Sequence, residues 1–529
     1  MSYSQANRFE QHVTNQLSKM LGALPVLLPI FRRLRVVETV NKHCPGKETV
    51  PHGLTSLVLG LNRLMAPKPL YRVHEWLAET VLEDTLGISA DQMHDVRLGR
   101  TLDDLYPHLP AIWQDLAVQA VLAYDLDLRF LHYDITSIYF EGEYAGSDKI
   151  SYGYSRDHRP DAKQLNLGVN VTGAEGIPLG YRVLAGRVAD RSTPLENLQA
   201  LRALLDRPEL AQQDFLLVSD QAMLDQAVLV AYAAKGVRWL GPLHADPGLQ
   251  AVMHAVSNAE LAEQPLDYRP TNQPPDEPLR YHGVLRPTSI AQDGQQVAIR
   301  VLVVKSATKV KLDHDRRQTY LERLTKRLEA IQGLLNQRRY KKKAYAQNQI
   351  EKACRGNPAK DLVEIALSGQ DGDLVLSFQV NAVRLAAAEA LDGRYLLGTN
   401  DPELTAVEML TRFKAQEVVE RRIKVIKGPV RVRPLFLHKP ERVEGLVFMA
   451  MLALLVYTIL ELLCRRAGQW ITARQVLEKF ERLGAIYLQF SDGSQMKLPS
   501  ELNPAQQQLI DLLRFPQPEL YLRPPEVAP

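Results

Sequence analysis

The sequence predicts an α/β protein, because strand-like apolar runs are interleaved with helical patterns along most of the chain. Three strand-like runs follow one another at 128–140, 165–172 and 179–184, and a fourth, continuously apolar run covers 215–218. A helical pattern separates the third run from the fourth. This order favours a mixed sheet covered by helices over an all-helical or all-β protein.

Residues 1–122 are predicted to form a helical domain that binds DNA ends or mediates dimerisation. Short apolar periodic runs are broken there by proline-containing turns, the first of them at Pro45-Gly46. The segment 26–35 combines apolar residues with three arginines, which suits contact with DNA or with a second copy. A helical cap with a solvated basic face explains the same pattern equally well.

The four strand-like runs are followed by a fifth at 237–243, and a helix is expected at 193–205. Three meandering strands, a helix and then further strands are the order of a ribonuclease H-like core. We assign this core to residues 123–247 and 399–465. The continuously apolar strand should be buried on both of its faces.

Residues 248–398 are predicted to form a mixed, β-rich domain inserted into this core, because they contain too much pattern for a loop. Strand-like runs occur at 297–304 and 374–380. An amphipathic helix between them carries an apolar stripe at heptad spacing, made of Leu321, Leu324, Leu328, Ile331 and Leu335. The helix is expected to end in an outward-facing basic cluster, Arg338, Arg339, Lys341, Lys342 and Lys343.

The most apolar segment, 445–460, has sixteen residues and no charge. It is shorter than the roughly 18 to 20 residues that cross a bilayer, so a buried core helix is expected and no membrane partner. Residues 466–529 are predicted to be a small carboxy-terminal region. It should contain a helix at 472–483, a hairpin of 486–490 with 495–498, and a loose proline-rich tail.

Composition sets broad limits on the class of protein. Hydrophobic residues make up 46% and charged residues 24%, which is ordinary for a globular protein, and a net charge of +3 does not by itself indicate nucleic acid. Cys44, Cys354 and Cys464 are far apart and odd in number, so neither a disulfide framework nor a cysteine zinc site is indicated. The first residues lack the layout of a signal peptide, and a cytoplasmic location is expected.

Three carboxylates form the candidate catalytic site. Asp134 and Asp220 each end an apolar, strand-like run, 128–134 and 215–220, and Glu420 lies in the basic segment 413–427, which is predicted to be one helix. Two strand-end aspartates and a helical glutamate suit two Mg²⁺ or Mn²⁺ ions, and paired ions suit in-line attack on a phosphodiester. The alternative is a pair of strand-capping aspartates and a solvated glutamate.

Basic residues close to Glu420 are the candidate DNA contacts. Lys427 follows Glu420 by seven residues, or two helical turns, and therefore projects from the same face. Six basic residues lie between positions 421 and 433, more than solvation requires, and we expect contacts to DNA phosphates. A solvated surface is the alternative. The six are Arg421, Arg422, Lys424, Lys427, Arg431 and Arg433.

The segment around Glu420 resembles the Tyr-x2-Arg-x3-Glu-x6-Lys signature of insertion-sequence DDE transposases, the insertion sequence four superfamily. The four positions hold Phe413, Gln416, Glu420 and Lys427, so the glutamate and lysine match while the tyrosine and arginine do not. The DNA contacts of that tyrosine and arginine are therefore not carried over. The resemblance covers about 125–465 and includes segments 133–137, 153–160, 175–178, 218–224 and 431–434 together with 441–442.

The resemblance implies a metal-dependent endonuclease that cuts double-stranded DNA at the inverted-repeat ends of its element. It also implies strand transfer into target DNA by a cut-and-paste route, in a synaptic complex with a homodimer. Two alternatives stay open. One is a ribonuclease H-like nuclease without strand transfer, and the other is a domesticated, catalytically inactive DNA-binding protein.

Overall fold

The computed structural model describes residues 13–46, 48–140, 144, 147–173, 175–210, 214–270, 273–274, 276–428 and 439–523. The chain divides into two compact units. The first contains residues 1–223 and 415–529, and the second contains residues 224–414.

The first unit begins with strand β1 (Val13–Met20), so the expectation that the whole amino-terminal region is helical is wrong at these residues. Helices account for most of the remainder of this region. They are α1 (Leu24–Arg33), α2 (Val36–His43), α3 (His52–Met65), α4 (Val73–Ala78), α5 (Leu82–Leu86), α6 (Asp95–Leu105) and α7 (Leu109–Tyr124).

A mixed sheet follows in the first unit, and its strands are those that the apolar runs predicted, with small shifts at their ends. They are β2 (Phe130–Phe140), β3 (Lys163–Thr172), β4 (Pro178–Ala185) and β5 (Leu216–Ser219), with helix α8 (Pro194–Leu205) before β5. Their order is β4-β3-β2-β5. The first three are antiparallel neighbours, whereas β5 runs parallel to β2. All four residues of β5 are buried, as its continuous apolar run predicted.

The second unit contains a sheet of four antiparallel strands in the order β6-β11-β8-β7 and a separate hairpin, β9-β10. Its elements in chain order are α9 (Gln226–Ala234), β6 (Arg238–Pro242), α10 (Pro247–Ala255), α11 (Asn258–Ala262), β7 (Tyr281–Gln292), β8 (Gln295–Ser306), α12 (Ala307–Leu334), α13 (Lys343–Cys354), β9 (Val363–Gln370), β10 (Asp373–Val380), α14 (Ala382–Ala390), β11 (Arg394–Thr399) and α15 (Ala406–Lys414).

The predicted apolar stripe of helix α12 is confirmed, because its residues are buried. Its buried residues pack with the inner faces of α13 and of the β9-β10 hairpin in one small core. The stripe consists of Leu321, Leu324, Leu328, Ile331 and Leu335.

The chain then returns to the first unit with α16 (Glu417–Lys427), α17 (Pro440–Arg466) and α18 (Ala473–Phe480). The prediction of a single helix over 413–427 is wrong, because α15 ends at Lys414 and α16 begins at Glu417. In the described part of the chain, α17 is the one helix long and apolar enough to cross a membrane, with a mean hydropathy of 2.5. However, 89% of its most apolar stretch is buried within the protein, against α1, α3, α6 and β4. It is the buried core helix that was expected.

The carboxy-terminal hairpin forms as predicted, from β12 (Gly484–Phe490) and β13 (Gln495–Pro499). Strand β1 joins it as a third strand, antiparallel to β12, with Met20 opposite Gly484. A last helix, α19 (Pro504–Leu513), was not predicted.

The expectation of a loose tail is wrong as far as Arg523. Tyr521 is buried, its carbonyl accepts a hydrogen bond from Thr85 Oγ1 at 2.5 Å, and its hydroxyl donates to the Pro25 carbonyl at 3.3 Å. Residues 524–529 lie outside the described residues.

Candidate active site

Asp134 and Asp220 lie side by side on neighbouring strands. Strands β2 and β5 are parallel, and the last residue pair in their register is Tyr133 with Ser219. The next position along each strand is therefore Asp134 within β2 and Asp220 directly after β5. The expectation that Asp134 ends its strand is wrong, because β2 continues to Phe140. Since neighbouring strands are about 4.8 Å apart, Asp134 and Asp220 are direct neighbours across this pair of strands.

Both aspartates are held locally by backbone donors. Asp134 Oδ1 accepts a hydrogen bond from the Ile135 N–H at 2.7 Å, and Asp220 Oδ1 accepts one from the Gln221 N–H at 2.7 Å. Asp134 is half-buried, whereas Asp220 is exposed at the point where the chain leaves the sheet.

Glu420 reaches this part of the sheet from helix α16, which packs against β2 and β3. The helix buries Val419, Arg422 and Ile426, which recur at helical spacing, and leaves Glu420 exposed beside that face. The packing of one amphipathic helix therefore brings the glutamate back to the aspartates over a gap of 200 residues in the chain.

The pKa of Asp134 reflects its burial first and the neighbouring charges second. Burial raises it to about 7, the Ile135 N–H lowers it, and the charges of Asp220 and Glu420 raise it. Arg156 also lowers it. Among the described residues, no lysine or arginine forms a salt bridge with any of the three carboxylates. Asp134 is thus poised to be stabilised in its charged form by a bound cation.

The spacing of the carboxylates bears on how a metal would be held. The ligand atoms of Asp134, Asp220 and Glu420 do not all lie within 4.8 Å of one another. Among the described residues, a different group of side chains has this spacing. The three carboxylates are therefore not placed as the ligands of one tightly held ion.

Lys427 is paired with an acidic residue. Its Nζ lies 2.6 Å from Asp157 Oδ1. The neighbouring Arg156 forms an ion pair with Asp190 and donates its backbone N–H to Ser137 Oγ at 3.1 Å, so the loop that contains Arg156 and Asp157 is fixed to β2. Sequence reasoning assigned no role to this loop, although the segment 153–160 was one of those that matched the family.

The other basic residues of the segment divide into exposed and buried groups. Arg421 and Lys424 are exposed on α16 and remain available to a ligand. The expectation that Arg422 contacts phosphate is wrong, because its guanidinium is buried among protein acceptors. It donates to the carbonyl of Gly176 at 2.9 Å and of Glu175 at 2.7 Å, and pairs with Glu461 at 2.5 Å. Arg431 and Arg433 lie outside the described residues.

The basic cluster of the second unit faces solvent, as expected, but not at the end of a helix. Helix α12 ends at Leu334, and the cluster occupies a 3-10 turn and the start of α13. Lys342 pairs with Asp371 at 3.2 Å, and Lys343 Nζ donates to the Gly369 carbonyl at 3.1 Å. The five exposed residues are Arg338, Arg339, Lys341, Lys342 and Lys343.

The two positions that depart from the family signature lie outside the helix that carries Glu420. Phe413 belongs to α15, where its ring lies 6.4 Å from that of Tyr395 and 5.6 Å from Lys414 Nζ. Gln416 precedes the first residue of α16 and makes no side-chain capping hydrogen bond there.

Comparison with known proteins gives a match for one part of the chain. Residues 16–117, which span β1 and most of the amino-terminal helices, match the Domain of unknown function (DUF4277), a family found in transposases. No curated protein matches the chain.

Six solved chains match, among them one from the structure of a piggyBac transposase synaptic complex with hairpin DNA. That likeness has 8% identity and a TM-score of 0.41, and it covers 88% of this chain and 82% of that chain. Residues 16–117 are thus similar to a domain family found in transposases.

Proposed function

We propose that the protein is a DDE transposase of the insertion sequence four superfamily, which cleaves DNA at the ends of its element and joins those ends to target DNA. The observation that carries this proposal is the association of Asp134 with Asp220 and Glu420, both of which raise its pKa. These carboxylates are far apart in the chain but act on one another in the folded protein, and in the described residues none of them forms a salt bridge with a lysine or arginine. Such a cluster is suited to divalent cations.

The strand arrangement of the first unit supports a ribonuclease H-like core. Three antiparallel neighbours, β2 to β4, are followed by a helix and then by β5, which lies parallel to β2. This is the order on which the sequence prediction rested, with the first carboxylate on the first strand and the second after the fourth.

Asp134, Asp220 and Glu420 would hold two Mg²⁺ or Mn²⁺ ions. When bound, such ions activate the attacking oxygen and stabilise the departing 3′-oxygen of a phosphodiester. Asp134 must lose its proton to act as a ligand, and the Ile135 N–H then holds one of its oxygens. The exposure of Asp220 and Glu420 leaves their carboxylates open to a DNA backbone from solvent.

Arg421 and Lys424 would contact phosphates on the same helix as Glu420, and Lys427 would do so after release from Asp157. The substrates would be the inverted-repeat ends of the element and target DNA, held by a homodimer in a synaptic complex in the cytoplasm. A homodimer fits this chemistry because two ends have to be cut together.

The test is a cleavage and strand-transfer assay with the full chain, Mg²⁺ and DNA that carries the inverted repeats flanking the coding region. The variants Asp134→Ala, Asp220→Ala and Glu420→Ala should lose cleavage and keep end binding. Glu417→Gln changes an exposed carboxylate on the same helix and should stay active.

The outcomes separate the alternatives. Cleavage at the normal rate by one of the alanine variants would remove that residue from the site. Cleavage without joining would indicate a nuclease, and end binding without any cleavage by the unaltered protein would indicate an inactive DNA-binding protein.

A further inference from the structure

A second group of ligand-bearing side chains lies among the amino-terminal helices of the first unit, and the proposed transposase chemistry does not use it. Glu48, His52 and Asp104 each offer one ligand atom, and these atoms all lie within 4.8 Å of one another. No other group of three or more such side chains reaches this spacing within the described ranges.

The distances in this group suit a shared ion better than hydrogen bonds. His52 Nε2 lies 3.5 Å from Glu48 Oε2 and 3.6 Å from Asp104 Oδ2. Both distances exceed the roughly 2.7 to 3.2 Å of an N–H···O hydrogen bond. Bonds of about 2.0 to 2.2 Å to a tetrahedral Zn²⁺ place neighbouring ligand atoms about 3.4 Å apart, close to the observed spacing.

The imidazole is held in the orientation that such a site needs. His52 is buried, and its Nδ1 lies 3.2 Å from the hydroxyl oxygen of Thr101, which is also buried. When Thr101 accepts from Nδ1–H, the free lone pair is on Nε2, the nitrogen that lies 3.5 Å from Glu48 and 3.6 Å from Asp104. Histidine ligands in proteins are commonly fixed in this way through the other ring nitrogen.

The three groups come from two places in the chain, and Gly46 lies beside them. Glu48 precedes α3, His52 is the first residue of α3, and Asp104 lies near the end of α6. Asp103 is committed elsewhere, to Arg442 at 2.7 Å. A Cβ at Gly46 would lie 1.8 Å from Glu48 Oε2 and 3.0 Å from His52 Nε2, so a side chain at this position would require the Glu48 carboxylate to move.

We propose that Glu48, His52 and Asp104 bind one Zn²⁺ ion, which fastens the segment before α3 to the end of α6. One imidazole nitrogen and two carboxylate oxygens are common zinc ligands, and water completes the coordination. The site is separate from the catalytic carboxylates and does not depend on the proposed transposase activity.

The experiment is a calorimetric titration of the full chain with Zn²⁺ after removal of metals with a chelator. The background is the variant Asp134→Ala/Asp220→Ala/Glu420→Ala, so that Zn²⁺ at the catalytic carboxylates does not contribute. We expect one ion per chain and a rise in the melting temperature on its addition. In this background His52→Ala should abolish both effects, and Thr101→Val should weaken binding about 10- to 100-fold.

Two further variants keep the result decisive. Asp104→Asn alters a half-exposed side chain and serves if His52→Ala does not fold, which circular dichroism will show. It should also abolish binding, whereas Glu79→Gln, an exposed carboxylate in the same region, should leave it unchanged. Absence of Zn²⁺ binding in the background protein, or unchanged binding after His52→Ala or Asp104→Asn, would overturn the proposal.

Discussion

Replacement of Asp134 by asparagine is expected to stabilise the metal-free protein above neutral pH. Burial, followed by the charges of Asp220 and Glu420, raises the pKa of this carboxyl from 3.8 to about 7. A shift of about 3 units corresponds to about 4 kcal/mol, at about 1.36 kcal/mol per unit. Asparagine has nearly the same shape and cannot ionise, so the variant escapes this cost.

The sign of the pH dependence follows from proton binding. Between about pH 4 and pH 7 the folded protein holds a proton on Asp134 that the unfolded chain releases. The free energy of unfolding therefore falls as the pH rises through this window, and the full cost is present above about pH 7. Asp134→Asn should raise the free energy of unfolding by up to about 4 kcal/mol at high pH and by little at low pH.

The assay is thermal unfolding of both proteins in a chelating buffer at several pH values. We expect the melting temperature of the variant to exceed that of the unaltered protein by several degrees at high pH, with the difference shrinking as the pH falls. Asp214→Asn, at an exposed aspartate near β5, should show no such pattern. A difference independent of pH, or a variant that is less stable at high pH, would refute the reasoning.

Three other changes test the assignments of charged residues. Arg422→Ala should destabilise the protein by about 3 to 5 kcal/mol in thermal unfolding, because it leaves Glu461 without its partner; Arg421→Ala, at an exposed neighbour, should change stability little. Asp157→Asn should increase DNA affinity in fluorescence anisotropy, because it frees Lys427 for a phosphate. Neutralising three residues of the basic cluster should weaken DNA binding across sequences and lower the salt slope by about 0.9 per lost phosphate contact; these are Arg338, Arg339 and Lys341.

Each of these three predictions has an outcome that would contradict it. Equal stability of the two arginine variants would show that the Arg422 contacts contribute nothing. An affinity unchanged by Asp157→Asn would mean that Lys427 does not contact DNA, and an unchanged salt slope would mark the basic cluster as a solvated surface.

Much of the first unit's sheet was predictable because its signals are local. The continuous apolar run at 215–218 predicts a strand that is buried on both faces, and the structure has such a strand. Strand β1 had no comparable signal, since most of its residues are exposed and its partner β12 lies more than 460 residues further along the chain. Its pairing depends on contacts that no window of sequence contains.

The candidate site also combines features with a local sequence signal and features that depend on contacts between distant residues. The strand-end position of Asp220 follows from its apolar run, whereas Asp134 lies inside β2 and does not end it. Glu420 was chosen for its place in a basic helical segment, and the family signature supported that choice. Sequence could not show which cation of a basic helix turns inward, and Arg422 proved to be the buried one. The break between α15 and α16 was also hidden, because the residues at 415–416 include no glycine or proline.

The most direct test of the metal site replaces Mg²⁺ by Fe²⁺ and maps the cuts that locally generated hydroxyl radicals make in the polypeptide. We expect cuts close to residues 134, 220 and 420, their suppression by excess Mg²⁺, and their loss in Glu420→Ala. Cuts that avoid all three positions in the unaltered protein would contradict the claim that these carboxylates hold the catalytic ions.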